Sequence, residues 1–131
     1  MSDFPPHPKL KVKIQIFCDD EIAFGPGKAD LLDAIRAHGS ISAAARKMGM
    51  SYRRAWMLVD VMNRCWHSPL VVTAPGNARG GGAQLTPCGD TVLQHYRTLQ
   101  HKADGVSASS ACQELEGLLR DHPKEKQHQK T

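Results

Sequence analysis

The segment from Ser40 to Asn63 constrains this chain more than any other part of it. It opens Gly39-Ser40-Ile41-Ser42, continues through Ala43-Ala44-Ala45-Arg46-Lys47-Met48, and then meets Gly49-Met50-Ser51. Ser42 suits a helix N-cap, because its hydroxyl can accept from a first-turn N–H. The three alanines after it favour helix and leave room for a second helix to cross closely. Gly49 adopts a positive φ at little cost, which fits the tight turn that must end the first helix. Ser51 then caps a second helix whose inward positions Ala55, Val59 and Met62 follow at spacings of four and three. Two short capped helices joined by a glycine turn form a helix-turn-helix, and the rest of the chain must fit around it.

The flanks predict a small mixed fold. Residues 1–8 hold three prolines and read as a flexible lead-in. From Lys9 to Phe17 the chain alternates, with Leu10, Val12, Ile14 and Ile16 on one side and lysines on the other. That period of two predicts a half-buried strand. Asp19-Asp20 marks a turn, and Ile22-Ala23-Phe24 can return as its antiparallel partner. Gly25-Pro26-Gly27 predicts a break before a helix from Lys28 to His38, ended by Gly39 as a left-handed cap. After the helix-turn-helix, Leu70–Thr73 and Ala83–Leu85 predict a hairpin around a loop rich in glycine. Thr86-Pro87 starts a helix, with Thr86 as N-cap and Pro87 at the first helical position. Val92, Leu93, Tyr96 and Leu99 form its apolar stripe, and it runs to Lys102 or a little beyond. The expectation is a mainly α fold with small β elements (α+β), a winged helix-turn-helix over residues 9–105. A short helix bearing Leu115, Leu118 and Leu119 occupies 106–121, and 122–131 is a polar, disordered tail.

The charges point to a partner. The formal net charge is +4, which suits a polyanion without proving one. Placement says more: Arg46, Lys47, Arg53, Arg54 and Arg64 fall in the helix-turn-helix, where Asp60 is the only acid. A recognition helix enters the major groove with its N-terminal residues at the base edges. Here those are Ser51, Tyr52, Arg53 and Arg54. Arginine grips guanine O6 and N7 together, so Arg53 and Arg54 are the expected readers of bases or nearby phosphates. Ser42 and Lys47 are the expected backbone contacts. Asn77, Arg79 and Gly80 to Gly82 predict a wing tip with one long cation, fit to follow a phosphate backbone. Trp56 fits two roles equally, packing on the preceding helix beside Tyr52 or contacting DNA.

Other chemistries lack support. The four cysteines, Cys18, Cys65, Cys88 and Cys112, form no C-x-x-C, and no second pair of ligands joins Cys65 and His67 at a structural zinc spacing. Free thiols in a reducing cytoplasm are expected, with no metal or other cofactor, and a regulator that responds through a cysteine, such as Cys88 near a helix start, or through a bound metal is a further alternative. No phosphate-binding glycine motif and no nucleophile–base–acid set stands out. An enzyme is therefore not expected. Neither a secretory leader nor a span of about 18 apolar residues is present in the sequence, so no membrane partner is expected. A winged-helix adaptor that binds proteins instead of DNA is the alternative from another class.

The string from Gly39-Ser40-Ile41-Ser42 through Ser51-Tyr52 and Arg54-Ala55-Trp56 resembles the N-terminal winged-helix domain of the ModE family of molybdenum-responsive transcription regulators. The glycine-rich wing and Leu85-Thr86-Pro87-x-Gly89 resemble it too, and more loosely resemble LysR-type DNA-binding domains. The resemblance spans residues 25–99 or so. It implies that Ser51, Tyr52, Arg53, Arg54 and Trp56 lie on the DNA-reading helix and Arg79 with Gly80 on the wing. It also implies that the helix carrying Val92, Leu93, Tyr96 and Leu99 pairs two subunits into a homodimer. A dimer would read a roughly palindromic operator in double-stranded DNA. The family's C-terminal molybdate-binding region has no counterpart before Thr131, so molybdate is not expected to bind this chain directly.

Overall fold

The computed structural model describes residues 9–74 and 82–126. The elements run β1 (Ile16–Cys18), β2 (Glu21–Phe24), α1 (Pro26–His38), α2 (Ile41–Met48), α3 (Tyr52–Cys65), β3 (Val71–Thr73), β4 (Ala83–Leu85), α4 (Pro87–Ser107) and α5 (Ser110–Leu118). Each sheet is a two-stranded antiparallel hairpin. The architecture is an α+β winged helix-turn-helix. Among the described residues two compact units are distinguished, one within residues 13–101 and the other over 9–12 with 102–126.

The first unit holds the core. Leu31, Leu32 and Ile35 of α1 are fully buried with Phe24, Val59, Met62 and Leu70. Phe24 meets Tyr96 and Trp66 edge-on, with ring centroids 5.0 Å and 6.3 Å away. Ala44 and Ala45 of α2 and Ala55 of α3 are buried in the same core, where small side chains leave room for neighbouring helices to pack. Gly39 ends α1 at φ 75°, and its carbonyl accepts from Ala83 N at 2.8 Å, which ties β4 to the end of α1.

Three local expectations are corrected. The strand expected over Lys9 to Phe17 is formed only at Ile16–Cys18. A strand needs a partner, and β2 is four residues long before Gly25 and Pro26 start α1, so residues 9–15 have no ladder to join. Instead the Tyr96 hydroxyl donates to Ile14 O at 2.7 Å. The break at Gly25-Pro26-Gly27 is shorter than expected, because Pro26 opens α1 itself. Its ring presets the helical φ, and its missing N–H is one that a first turn leaves unbonded. Finally, Ser40 and not Ser42 caps α2, accepting from Ala43 N at 3.0 Å. A cap at Ser42 would leave Ile41 outside the helix, whereas Ile41 belongs to the first turn and is buried.

The other turns match the sequence. Gly49 sits at φ 69°, and Met50 N closes back onto Ala45 O at 3.0 Å. Ser51 Oγ accepts from Arg54 N at 3.1 Å. Thr86 Oγ1 accepts from Gly89 N at 2.9 Å and donates to Pro69 O at 2.6 Å. A side chain on Gly89 has no room, since a Cβ there would lie 2.2 Å from Leu70 O. The Thr86-Pro87-x-Gly89 sequence is thus a clamp that holds α4 against the start of β3.

In the second unit, α4 ends at Ser107, and Ser109 caps α5 by accepting from Cys112 N at 3.3 Å. Cys112 is buried, and Lys9 pairs with Asp121 at 3.8 Å. Leu115, Leu118 and Leu119 are exposed. Among the described residues, no helix is long and apolar enough to cross a membrane.

Candidate nucleic-acid interface

Helix α3 sorts its residues by face. Ala55, Val59 and Met62 are buried, as the spacing requires, while Ser51, Tyr52, Arg53 and Arg54 are exposed at its N-terminal end. Arg46 and Lys47 lie exposed on the last turn of α2. None of Arg46, Lys47, Arg53 and Arg54 makes an ion pair with another described residue. Their charge is therefore available to a polyanion.

The far end of α3 differs. Arg64 Nε pairs with Asp60 at 2.8 Å and its Nη2 with Glu21 at 3.3 Å. Hydrogen bonds to Asp60 and Glu21 raise its pKa further. Arg64 thus leaves the basic face that the sequence suggested, and positive charge falls off along α3 from its N-terminus. Lys28 on α1, which the sequence did not single out, is half-buried and feels charges from both ends of α3. Burial lowers its pKa, with Cys65 opposing, and the nearby Arg54 charge acts in the lowering direction. No spacing rule marks Lys28, because it reaches α3 only through the packing of α1.

Tyr52 and Trp56 stand one turn apart on the same edge, and the Trp56 indole N–H donates to the Tyr52 hydroxyl. Trp56 keeps 37% of its surface exposed and Tyr52 53%. They border a cleft of about 480 Å³ lined also by Ile41, Ser42, Thr73 and Ala83. The tryptophan that packs inward is Trp66, against Phe24. Ser42, though not the cap, faces out at the start of α2 and lines the same cleft. Asn77, Arg79 and Gly80 lie outside the described residues.

The stripe on α4 divides. Leu93 and Tyr96 are buried in the chain's own core, Val92 packs against that core, and Leu99 is 44% exposed. Leu93 and Tyr96 therefore serve intrachain packing, for which spacing alone gives no distinction from subunit pairing. Asn63 was also missed. Its Oδ1 accepts from Leu70 N at 2.9 Å and Val71 N at 3.1 Å, and its Nδ2 donates to Val71 O at 3.0 Å. It holds β3 to the end of α3, and only the chain reversal at Pro69 brings these groups together.

No family model matches the chain. It is 46% identical over 76 residues to the molybdenum-pterin-binding protein MopB of Rhodobacter capsulatus, covering 58% of this chain and 28% of that protein. It is 38% identical over 92 residues to the molybdenum transport protein ModE of Azotobacter vinelandii, covering 70% and 34%. It is also 36% identical over 113 residues to the DNA-binding transcriptional dual regulator ModE of Escherichia coli K12, covering 84% and 41%. The chain thus spans between about a quarter and two fifths of the length of these relatives. These matches and the winged-helix architecture place the chain in the ModE family, where it corresponds to the N-terminal part of its members.

Proposed function

We propose that this chain binds double-stranded DNA as a homodimer and regulates transcription in connection with molybdenum. The observation that carries the reading is the group of four basic side chains, Arg46, Lys47, Arg53 and Arg54, which have no ion pair among the described residues and gather at the N-terminal end of α3 and the adjoining end of α2. A recognition helix presents that end to the major groove. Arg53 and Arg54 take the base edges and neighbouring phosphates, and Lys47 and Ser42 take the backbone. Leu99, left exposed on α4, is the residue of the apolar stripe best placed to meet a second subunit. The naming of relatives as a DNA-binding regulator and as molybdenum proteins supports the biological setting.

The test is binding of the chain to genomic DNA fragments across salt concentrations. If the four side chains each neutralise a phosphate or displace counterions, log K falls with log[salt] with a slope of about −3 to −4 per subunit. A flat response would remove DNA from the reading. Recovery of fragments near genes for molybdate uptake or molybdoenzymes would support the molybdenum setting, and recovery unrelated to them would remove it.

A further inference from the structure

We propose that Tyr52 and Trp56 form a fixed aromatic plate that reads thymine 5-methyl groups in the major groove, next to the bases gripped by Arg53 and Arg54. This rests on the DNA-binding reading and assigns part of its specificity. The two rings sit one helical turn apart at the end of α3 that would enter the groove. Both remain substantially exposed, and neither belongs to the Phe24, Trp66 and Tyr96 cluster that holds the interior. Large apolar rings left in water at a basic edge gain by burial against an apolar ligand group.

The hydrogen bond decides which group. Indole has one donor and no acceptor, and in Trp56 that donor is given to the Tyr52 hydroxyl. Trp56 has no hydrogen bond left for a base edge, so it can only discriminate by apolar contact. The thymine methyl is the one apolar group that distinguishes a base in the major groove. Tyr52 accepts from the indole and keeps its own O–H, which can donate to thymine O4 or to a guanine acceptor. The bond also holds the two rings together before DNA arrives, which lowers the ordering cost of binding. The charge of Arg53 and Arg54 beside them, which meets no carboxylate among the described residues, attracts the duplex and sets the register in which the rings meet it.

The probe is a duplex that the full chain selects from a random-sequence pool, with each thymine replaced in turn by deoxyuridine. That change removes a methyl and leaves every phosphate and hydrogen-bonding group in place. At one or two positions in each half-site the affinity of the natural chain falls about three- to fivefold, the size of one buried methyl-sized group. Trp56→Ala binds the thymine duplex more weakly and no longer distinguishes deoxyuridine at those positions. Tyr52→Phe, which keeps the ring but loses the bond, gives an intermediate response, and thermal melting confirms that both variants fold. Indifference to deoxyuridine at all positions, with the salt slope intact, overturns the aromatic reading alone. Retention of no duplex overturns the DNA-binding reading and this one with it.

Discussion

Arginines at two places in this chain face opposite circumstances. On the seam between α1 and α4, Arg97 bonds both Asp30 and Asp33, and Arg36 reaches Asp90 at 2.6 Å. At the N-terminal end of α3, Arg53 and Arg54 meet no carboxylate among the described residues. The same side chain is a neutralised tether in one place and an open charge in the other. Exposed pairs stabilise a fold by only about 0–1 kcal/mol, so the seam gains little from its pairing in energy. What pairing removes is the field that would draw a polyanion to the wrong face. The contrast therefore locates function better than the count of basic residues does.

Variants that alter one place and spare the other sharpen this comparison. The largest effect is expected at the clamp behind the seam. Gly89→Ala forces a Cβ into Leu70 O, and the resulting backbone shift costs about 3 kcal/mol, visible as a lower midpoint in urea unfolding. A midpoint unchanged within error would mean that the clamp is not tight. Next is Arg53→Ala, which loses about 1–3 kcal/mol on a selected duplex and less on random duplex, with melting temperature unaltered. Equal losses on both duplexes would make Arg53 a phosphate contact.

Tyr96→Phe removes the bond to Ile14 O and costs about 1 kcal/mol. Burial raises the Tyr96 pKa above the ordinary phenol value, with Asp30 adding and Arg97 opposing. A raised folded pKa means that the protonated form favours the folded state. That contribution is complete below the unfolded value of about 10 and is lost as pH rises through the folded one. The natural chain should lose stability at that alkaline step, and Tyr96→Phe should lose less there. The smallest effect is expected for Arg97→Met. Burial lowers its pKa, but hydrogen bonds to Asp33 and Asp30 raise it by more. The pair still lies at a half-open surface, so removing it costs under about 1 kcal/mol and leaves the salt slope of DNA binding unchanged. A loss of slope would move the seam into the interface and break the comparison.

Much of the helix-turn-helix was written in local chemistry. Gly39, Gly49, Ser51, Thr86 and Pro87 each occupy the terminus their backbone preference predicts, and Ala55, Val59 and Met62 face inward. These are effects within one turn of chain, so residue order suffices to read them. Ser40 against Ser42 was decided by one residue of register, which the burial of Ile41 settles. The alternating stretch from Lys9 failed as a strand because alternation describes two faces and says nothing of a partner.

Sequence by itself determined the order of the helices, the termini at Gly39, Gly49, Ser51 and Thr86, which face of α3 turns inward, and which residues could carry positive charge outward. Those follow from φ preferences, capping and periodicity, all of which act over a few residues. Tertiary structure alone decided that Arg64 reaches Glu21 while Arg53 meets no carboxylate among the described residues, that Tyr96 and Leu93 belong to this chain's own core, and that Trp66 is the tryptophan that packs inward. Each of these depends on groups far apart in sequence, such as Glu21 with Arg64 or Ile14 with Tyr96. Their meeting is fixed by how whole elements pack, and no local preference encodes it.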